Sequence, residues 1–166
     1  MEFPNHFALS PELQEAVTSR GSINIYKMVT HSPGLAPGFF MMADAIFQAN
    51  SLPPQLRELS IIRVGRRYNA PYEIHYHEMI GRAVGLEERA ITAAATGNAE
   101  DLTTDEAAIL RWTDTLIDEH DLSDTEREAS LEVLTVTQLA DLVLTVGFYQ
   151  LVCNFLNTFR VEIDHH

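Results

Sequence analysis

The chain has 166 residues, 46% hydrophobic and 21% charged, with 11 Lys+Arg against 24 Asp+Glu and a formal net charge of −13. That length suits one domain with a real core. That charge repels phosphate backbones and anionic bilayers, which sets nucleic acid and membrane aside as expected partners.

The opening "MEFPNHFALSPEL" lacks the basic-then-apolar order of a secretory signal, so the expected compartment is the cytoplasm. In "SPELQEAV", Ser10 is placed to cap a helix whose first position is Pro11. "SINIYKMV" reads as a short helix, stopped near Pro33 and Gly34. "APGFFMMADAIFQAN" reads as a longer one carrying Phe39, Phe40, Met42, Ile46 and Phe47, a set that suits core packing, a pocket wall or a subunit interface. "LPPQLRELSIIRVGRRYN" starts at prolines, and "PYEIHYHEMIGRAVG" runs from Pro71 to a helix-ending Gly85. "LEERAITAAATG" is another short helix. "TTDEAAILRWTDTLIDEH" opens on a Thr/Asp cap and "SDTEREASLEVL" on Ser123.

The last helix, from about Thr137 to Phe159, is apolar on most sides and is expected at the centre of the fold. Asp141, Gln150 and Asn154 interrupt it, which favours a core or interface helix over a membrane span. Its Cys153 is the one cysteine, so an intrachain disulfide and any CxxC motif are excluded, and a buried structural thiol is expected. No stretch alternates as a strand, and no linker or repeat divides the chain. The expectation is a single all-α domain over residues 1–166.

Two neighbouring helices carry the chemistry. At about 100° per residue, Glu73, Tyr76, His77, Ile80 and Val84 share one face, while His75, Glu78 and Arg82 lie opposite. Glu73 and His77 are therefore i,i+4 neighbours inside an apolar stripe. On the preceding helix Glu58 shares a face with Ile61, Ile62 and Gly65. The turn "YNAP" is short, so the two helices are expected to form an antiparallel hairpin, with Gly65 allowing close approach. Glu58, Glu73 and His77 then converge. A histidine between two carboxylates can be imidazolium at neutral pH and deliver a proton, or the three can form a buried ion pair. Arg63, Arg66 and Arg67 form the densest positive patch, suited to an anionic substrate or, for Arg66 and Arg67, to the helix C-terminal dipole.

From Pro53 to Ile91 the residues "LPPQLRELSIIRVGRRYNAPYEIHYHEMIGRAVGLEERAI" resemble the carboxymuconolactone decarboxylase and alkylhydroperoxidase D-like family, with a core at about 37–95. The shared pattern is an "RE-L" helix, a short turn, and a histidine eight residues before "GL"; the last helix adds Asn154 and Asn157. The peroxidase branch of that family has two cysteines seven and four residues before the histidine, where this chain has Ala70 and Glu73. Thiol peroxidase chemistry is therefore not expected.

The resemblance implies an all-α fold of the alkylhydroperoxidase D type, built round an antiparallel hairpin and assembled as a homo-oligomer, a trimer or hexamer. It also implies a cofactor-independent decarboxylation or proton transfer on a small carboxylated lactone or related aromatic-degradation metabolite. His77, Glu73 and Glu58 would be catalytic; read from the residues themselves, Tyr72 and Tyr76 could donate hydrogen bonds to a substrate carboxylate, and Phe39 and Phe40 could form the wall of its pocket. The alternatives are a metal-dependent hydrolase holding its ion on Glu58, Glu73 and His77, and a non-catalytic oligomeric family member.

Overall fold

The computed structural model describes residues 1–164. Among these residues, a single 3-10 turn at His6–Ala8 is followed by nine α-helices: α1 (Pro11–Thr18), α2 (Asn24–Val29), α3 (Ala36–Gln48), α4 (Pro54–Arg67), α5 (Pro71–Ala83), α6 (Glu88–Thr96), α7 (Thr104–Asp118), α8 (Asp124–Leu131) and α9 (Val136–Phe159). Among the described residues there is no strand. The caps at Ser10, Gly85, Thr103 and Ser123 fall where the sequence places them, while the Thr135 cap of α9 lies two residues ahead of the expected start at about Thr137. Ser10 accepts from the Leu13 N–H, and Gly85 and Gly97 take the left-handed conformation after α5 and α6. Reciprocal capping boxes open α7 (Thr103/Glu106), α8 (Ser123/Glu126) and α9 (Thr135/Gln138).

The central helix is α4, not the apolar α9 that composition favoured. Every residue from Arg57 to Gly65 is buried, and α5, α6, α7 and α9 all pack on it. Leu59, Ile61, Ile62 and Val64 are fully enclosed, each contributing roughly 1.5–3 kcal/mol of burial. Hydrophobicity misplaces the centre because α4 buries Arg57, Glu58, Ser60 and Arg63 alongside those side chains. Helix α9 buries only one stripe, from Leu142 through Val146 and Tyr149 to Leu156, and leaves Val143, Leu144 and Leu151 exposed. By length and composition it could cross a membrane; here its buried stripe packs on α4.

The arginines of α4 are consumed in packing. Arg63 grips Asp114 of α7 through two bonds (2.7 and 2.9 Å) and also donates to the Ala94 carbonyl (3.0 Å). Arg67 pairs with Asp114 and Asp118, and Arg66 with Glu78 of α5. Arg66 and Arg67 do lie in the last turn of α4, as the dipole reading requires. None of the three lines the space beside His77.

Helices α4 and α5 form the expected hairpin. The turn closes with Asn69 at φ 49° and the Ala70 N–H donating to the Gly65 carbonyl (3.0 Å). Two glycines set the spacing. A Cβ on Gly65 would stand 3.3 Å from Ile74 Cγ1 and 3.6 Å from Glu73 Cβ; one on Gly81 would stand 3.3 Å from Ile62 Cδ1 and 3.7 Å from Glu58 Cβ. The hairpin is tight where it presents its acidic groups.

Candidate active site

The site grows from that hairpin. Glu58, Glu73 and His77 are all buried, at 0%, 4% and 5% exposure, and they meet as the helix geometry demands. His77 Nδ1 lies 2.6 Å from Glu58 Oε2. A carboxylate can only accept, so Nδ1 donates and the tautomer is set. On the other side of the ring, Nε2 lies 2.8 Å from Glu73 Oε1. That contact is close but poorly aligned, and Oε1 is a buried oxygen with no hydrogen-bond partner.

A fourth member was missed in the sequence. Arg57, 6% exposed, binds the outer oxygen of Glu58 through Nε (3.0 Å) and Nη2 (2.9 Å). Its guanidinium lies 5.2 Å from the Phe47 ring centroid, and Phe47 stacks on the His77 ring at 5.9 Å. Arg57 immediately precedes Glu58 in the "RE" pair, so adjacency was the available signal. Its burial was not visible, because arginine seldom lies inside.

Burial alone would lower the proton affinity of His77; the charge of Glu73 and the hydrogen bond to Glu58 outweigh it, and the pKa is pushed up to about 9. With His77 as imidazolium, Arg57 and His77 balance Glu58 and Glu73, and the buried cluster is neutral.

The cluster is not sealed. It borders a cavity of ≈ 170 Å³ whose wall includes Tyr26, Phe39, Phe47, Glu73, His77 and Tyr149. Tyr149 packs edge-on against His77 at 4.9 Å, and burial first, then the charges of Glu73 and Glu58, push its phenol well above the ordinary tyrosine value. Tyr149 lies in the most apolar run of the chain, and only the packing of α9 on the hairpin shows which neighbour it meets.

The expected binding residues divide. Phe39 and Phe47 line the cavity. Phe40 does not: it is 2% exposed, edge-on to Tyr26 at 5.5 Å and covered by Arg20, so it belongs to the core. Its place on α3 turns it toward Tyr26 and Arg20 and away from the cavity. Tyr72 and Tyr76 reach the wall, but their hydroxyls donate to Asp164 Oδ2 at 2.8 and 2.9 Å. The chain's own C-terminal segment holds the groups expected to hold a substrate carboxylate. His75 is exposed, as its face implied.

The metal reading fails on geometry. Glu58 and Glu73 sit at opposite nitrogens of one imidazole, so the three cannot surround one ion, and among the described residues no group of three His, Cys, Asp or Glu could. Cys153 is fully buried, its thiol pushed up by burial, and it is absent from the cavity wall.

An all-α fold with a buried Glu–His–Glu cluster on a tight hairpin, open to a small aromatic cavity, is the class this chain defines. The chain belongs to the carboxymuconolactone decarboxylase family, whose model matches residues 33–115. That match reaches from the entrance of α3 into α7, beyond the hairpin that carried the sequence resemblance. No curated protein matches the sequence. Two crystal structures share the fold. One is the alkylhydroperoxidase AhpD core of an uncharacterised peroxidase-related protein from Ralstonia eutropha, with 17% identity over 99% of this chain and 91% of the other and a TM-score of 0.87. The second is an Agrobacterium tumefaciens protein of unknown function, described as a candidate AhpD antioxidant-defence protein, with 16% identity, a TM-score of 0.73, and 82% of this chain matched to 95% of that one.

Proposed function

We propose that the chain is a metal-free acid–base enzyme that moves a proton on a small ring compound. The observation that carries this reading is the placement of His77 between two carboxylates at the edge of a cavity, rather than inside a closed ion pair. A purely structural salt bridge gains little from such burial, because desolvation offsets the attraction.

The roles follow from the contacts. Glu58, held by Arg57, fixes the ring and its tautomer. Glu73 Oε1, without a well-aligned hydrogen bond, is the base. His77, as imidazolium, is the acid that protonates carbon through Nε2. After one cycle Glu73 holds a proton and His77 lacks one, and the 2.8 Å separation lets that proton return. Tyr26 and Tyr149 line the cavity and supply hydroxyls for a developing oxyanion. The decarboxylation implied by the resemblance would use the same acid on a dienolate, but it needs a carboxylated ring, for which the wall holds no cation that is not already paired.

Peroxide reduction in the manner suggested by the structural neighbours' names lacks support in these residues. Ala70 and Glu73 stand where the peroxidase branch has cysteines, and Cys153 is enclosed.

The test is exchange of deuterium from solvent into cyclic enones and enols, followed by mass spectrometry. His77→Gln should lower the rate by about 10²–10⁴, Glu58→Gln by less, and His75→Gln hardly at all. Equal exchange in wild type and His77→Gln would sink the assignment.

A further inference from the structure

Resting on that proton-transfer reading, we propose that the cavity takes an uncharged single-ring enol or phenol whose hydroxyl donates to Glu73 Oε1, and that it turns carboxylated rings away.

Size comes first. A cavity of ≈ 170 Å³ suits one six-membered ring with a small substituent; an apolar cavity of about 150 Å³ is enough for benzene. Ile25, Phe39, Ile80, Phe148 and Val152 give it apolar walls.

Charge decides the class. Among the described residues, the charged groups on the wall are Glu73 and His77. That one imidazolium is already shared by two carboxylates, and Arg57 is spent on Glu58. A third carboxylate would be buried without a counter-charge, which is strongly unfavourable. Other candidate anchors are occupied: Arg63, Arg66 and Arg67 by acidic partners, and the hydroxyls of Tyr72 and Tyr76 by Asp164.

The wall nevertheless offers an unfilled acceptor. Glu73 is 4% exposed and its Oε1, paired by charge with the poorly aligned Nε2 of His77 at 2.8 Å, has no well-formed hydrogen bond, so a ligand hydroxyl can supply one. Tyr26 and Tyr149 have no hydrogen-bonded partner among the described residues, and their hydroxyls can donate to the ligand's oxygen.

The chemistry then balances without a co-reactant. Glu73 Oε1 takes the enol O–H proton and the oxygen lone pair closes the C=O bond. The C=C pair takes a proton from His77 Nε2, and Glu73 returns its proton to His77. For an enol the product is its ketone isomer, with no CO2 released; a phenol, whose ketone form would lose aromaticity, binds without turnover.

Phenol and benzoate are the matched probes at neutral pH, one uncharged and one ionised. Binding is read from the side-chain NMR signals of His77 and Tyr149, independently of turnover. Phenol should bind at least tenfold more tightly than benzoate, and Glu73→Gln should weaken phenol by about tenfold and narrow the gap. Benzoate binding as tightly as phenol, or neither perturbing those signals, would overturn the proposal. Failure of deuterium exchange with this preference intact would instead remove the proton-transfer reading and leave the ligand class standing.

Discussion

His77 shows how a single residue acquires a property its free side chain lacks. Arg57, Glu58, Glu73 and Tyr149 face it or its partners, and the two carboxylates hold its pKa near 9 against an ordinary value of 6.5. A raised folded-state pKa stabilises the fold fully below the unfolded value and loses that contribution as pH rises through the folded one. The melting temperature should therefore fall between about pH 7 and pH 10, and His77→Gln should flatten that slope. Activity that depends on the imidazolium should decline above about pH 9 in the wild type. Arg57 is the residue on which the arrangement rests. Arg57→Met leaves Glu58 buried without its cation, and should cost about 3–5 kcal/mol in chemical denaturation. Arg57→Lys keeps the charge, loses the forked contact, and should recover part of the loss.

At the scale of elements, the α4–α5 hairpin sets the distance between the acidic groups and the imidazole. Gly65 faces Glu73 and Ile74 with only 3.3 Å of room for a Cβ. Gly65→Val would force the helices apart at an expected cost of about 1–3 kcal/mol. Because Glu73 moves with that wall, the rate should fall more than stability alone explains; an unchanged rate would show that its position is not critical. Helix caps behave independently of the site. Thr103→Ala removes the capping-box oxygen of α7 and should cost about 1 kcal/mol, read as a shift in urea midpoint with activity unaltered.

For the whole molecule, the question is what covers the outer face of α9. Val136, Val143, Leu144 and Leu151 recur at helical spacing and are 72%, 43%, 54% and 53% exposed. Exposed apolar side chains repeated along one helix suit an interface, and we propose a homo-oligomer, a trimer or hexamer as the family resemblance implies. Light scattering at micromolar concentration should give that mass, and Leu144→Glu with Leu151→Glu should reduce it to a monomer. A monomeric wild type would refute the assignment. The buried thiol adds a further expectation: Cys153→Ala should leave proton-transfer activity intact, and thiol reagents should not react with the folded protein.

The sequence alone determined the all-α class, the helix order, the caps at Ser10, Gly85, Thr103 and Ser123, and the convergence of Glu58, Glu73 and His77. Each of those is local: a 3.6-residue period, a capping residue, or two helices joined by a turn too short to allow another arrangement. The exposed place of His75 followed from the same period. Only the tertiary structure decided that α4 and not α9 is central, because burial of Arg57, Glu58 and Arg63 depends on partners from distant helices. It also separated Phe39 from Phe40, brought Tyr149 to the imidazole across more than seventy residues of chain, and gave Tyr72 and Tyr76 to Asp164. Those contacts are set by packing between elements far apart in the chain, and no window of neighbouring residues contains them.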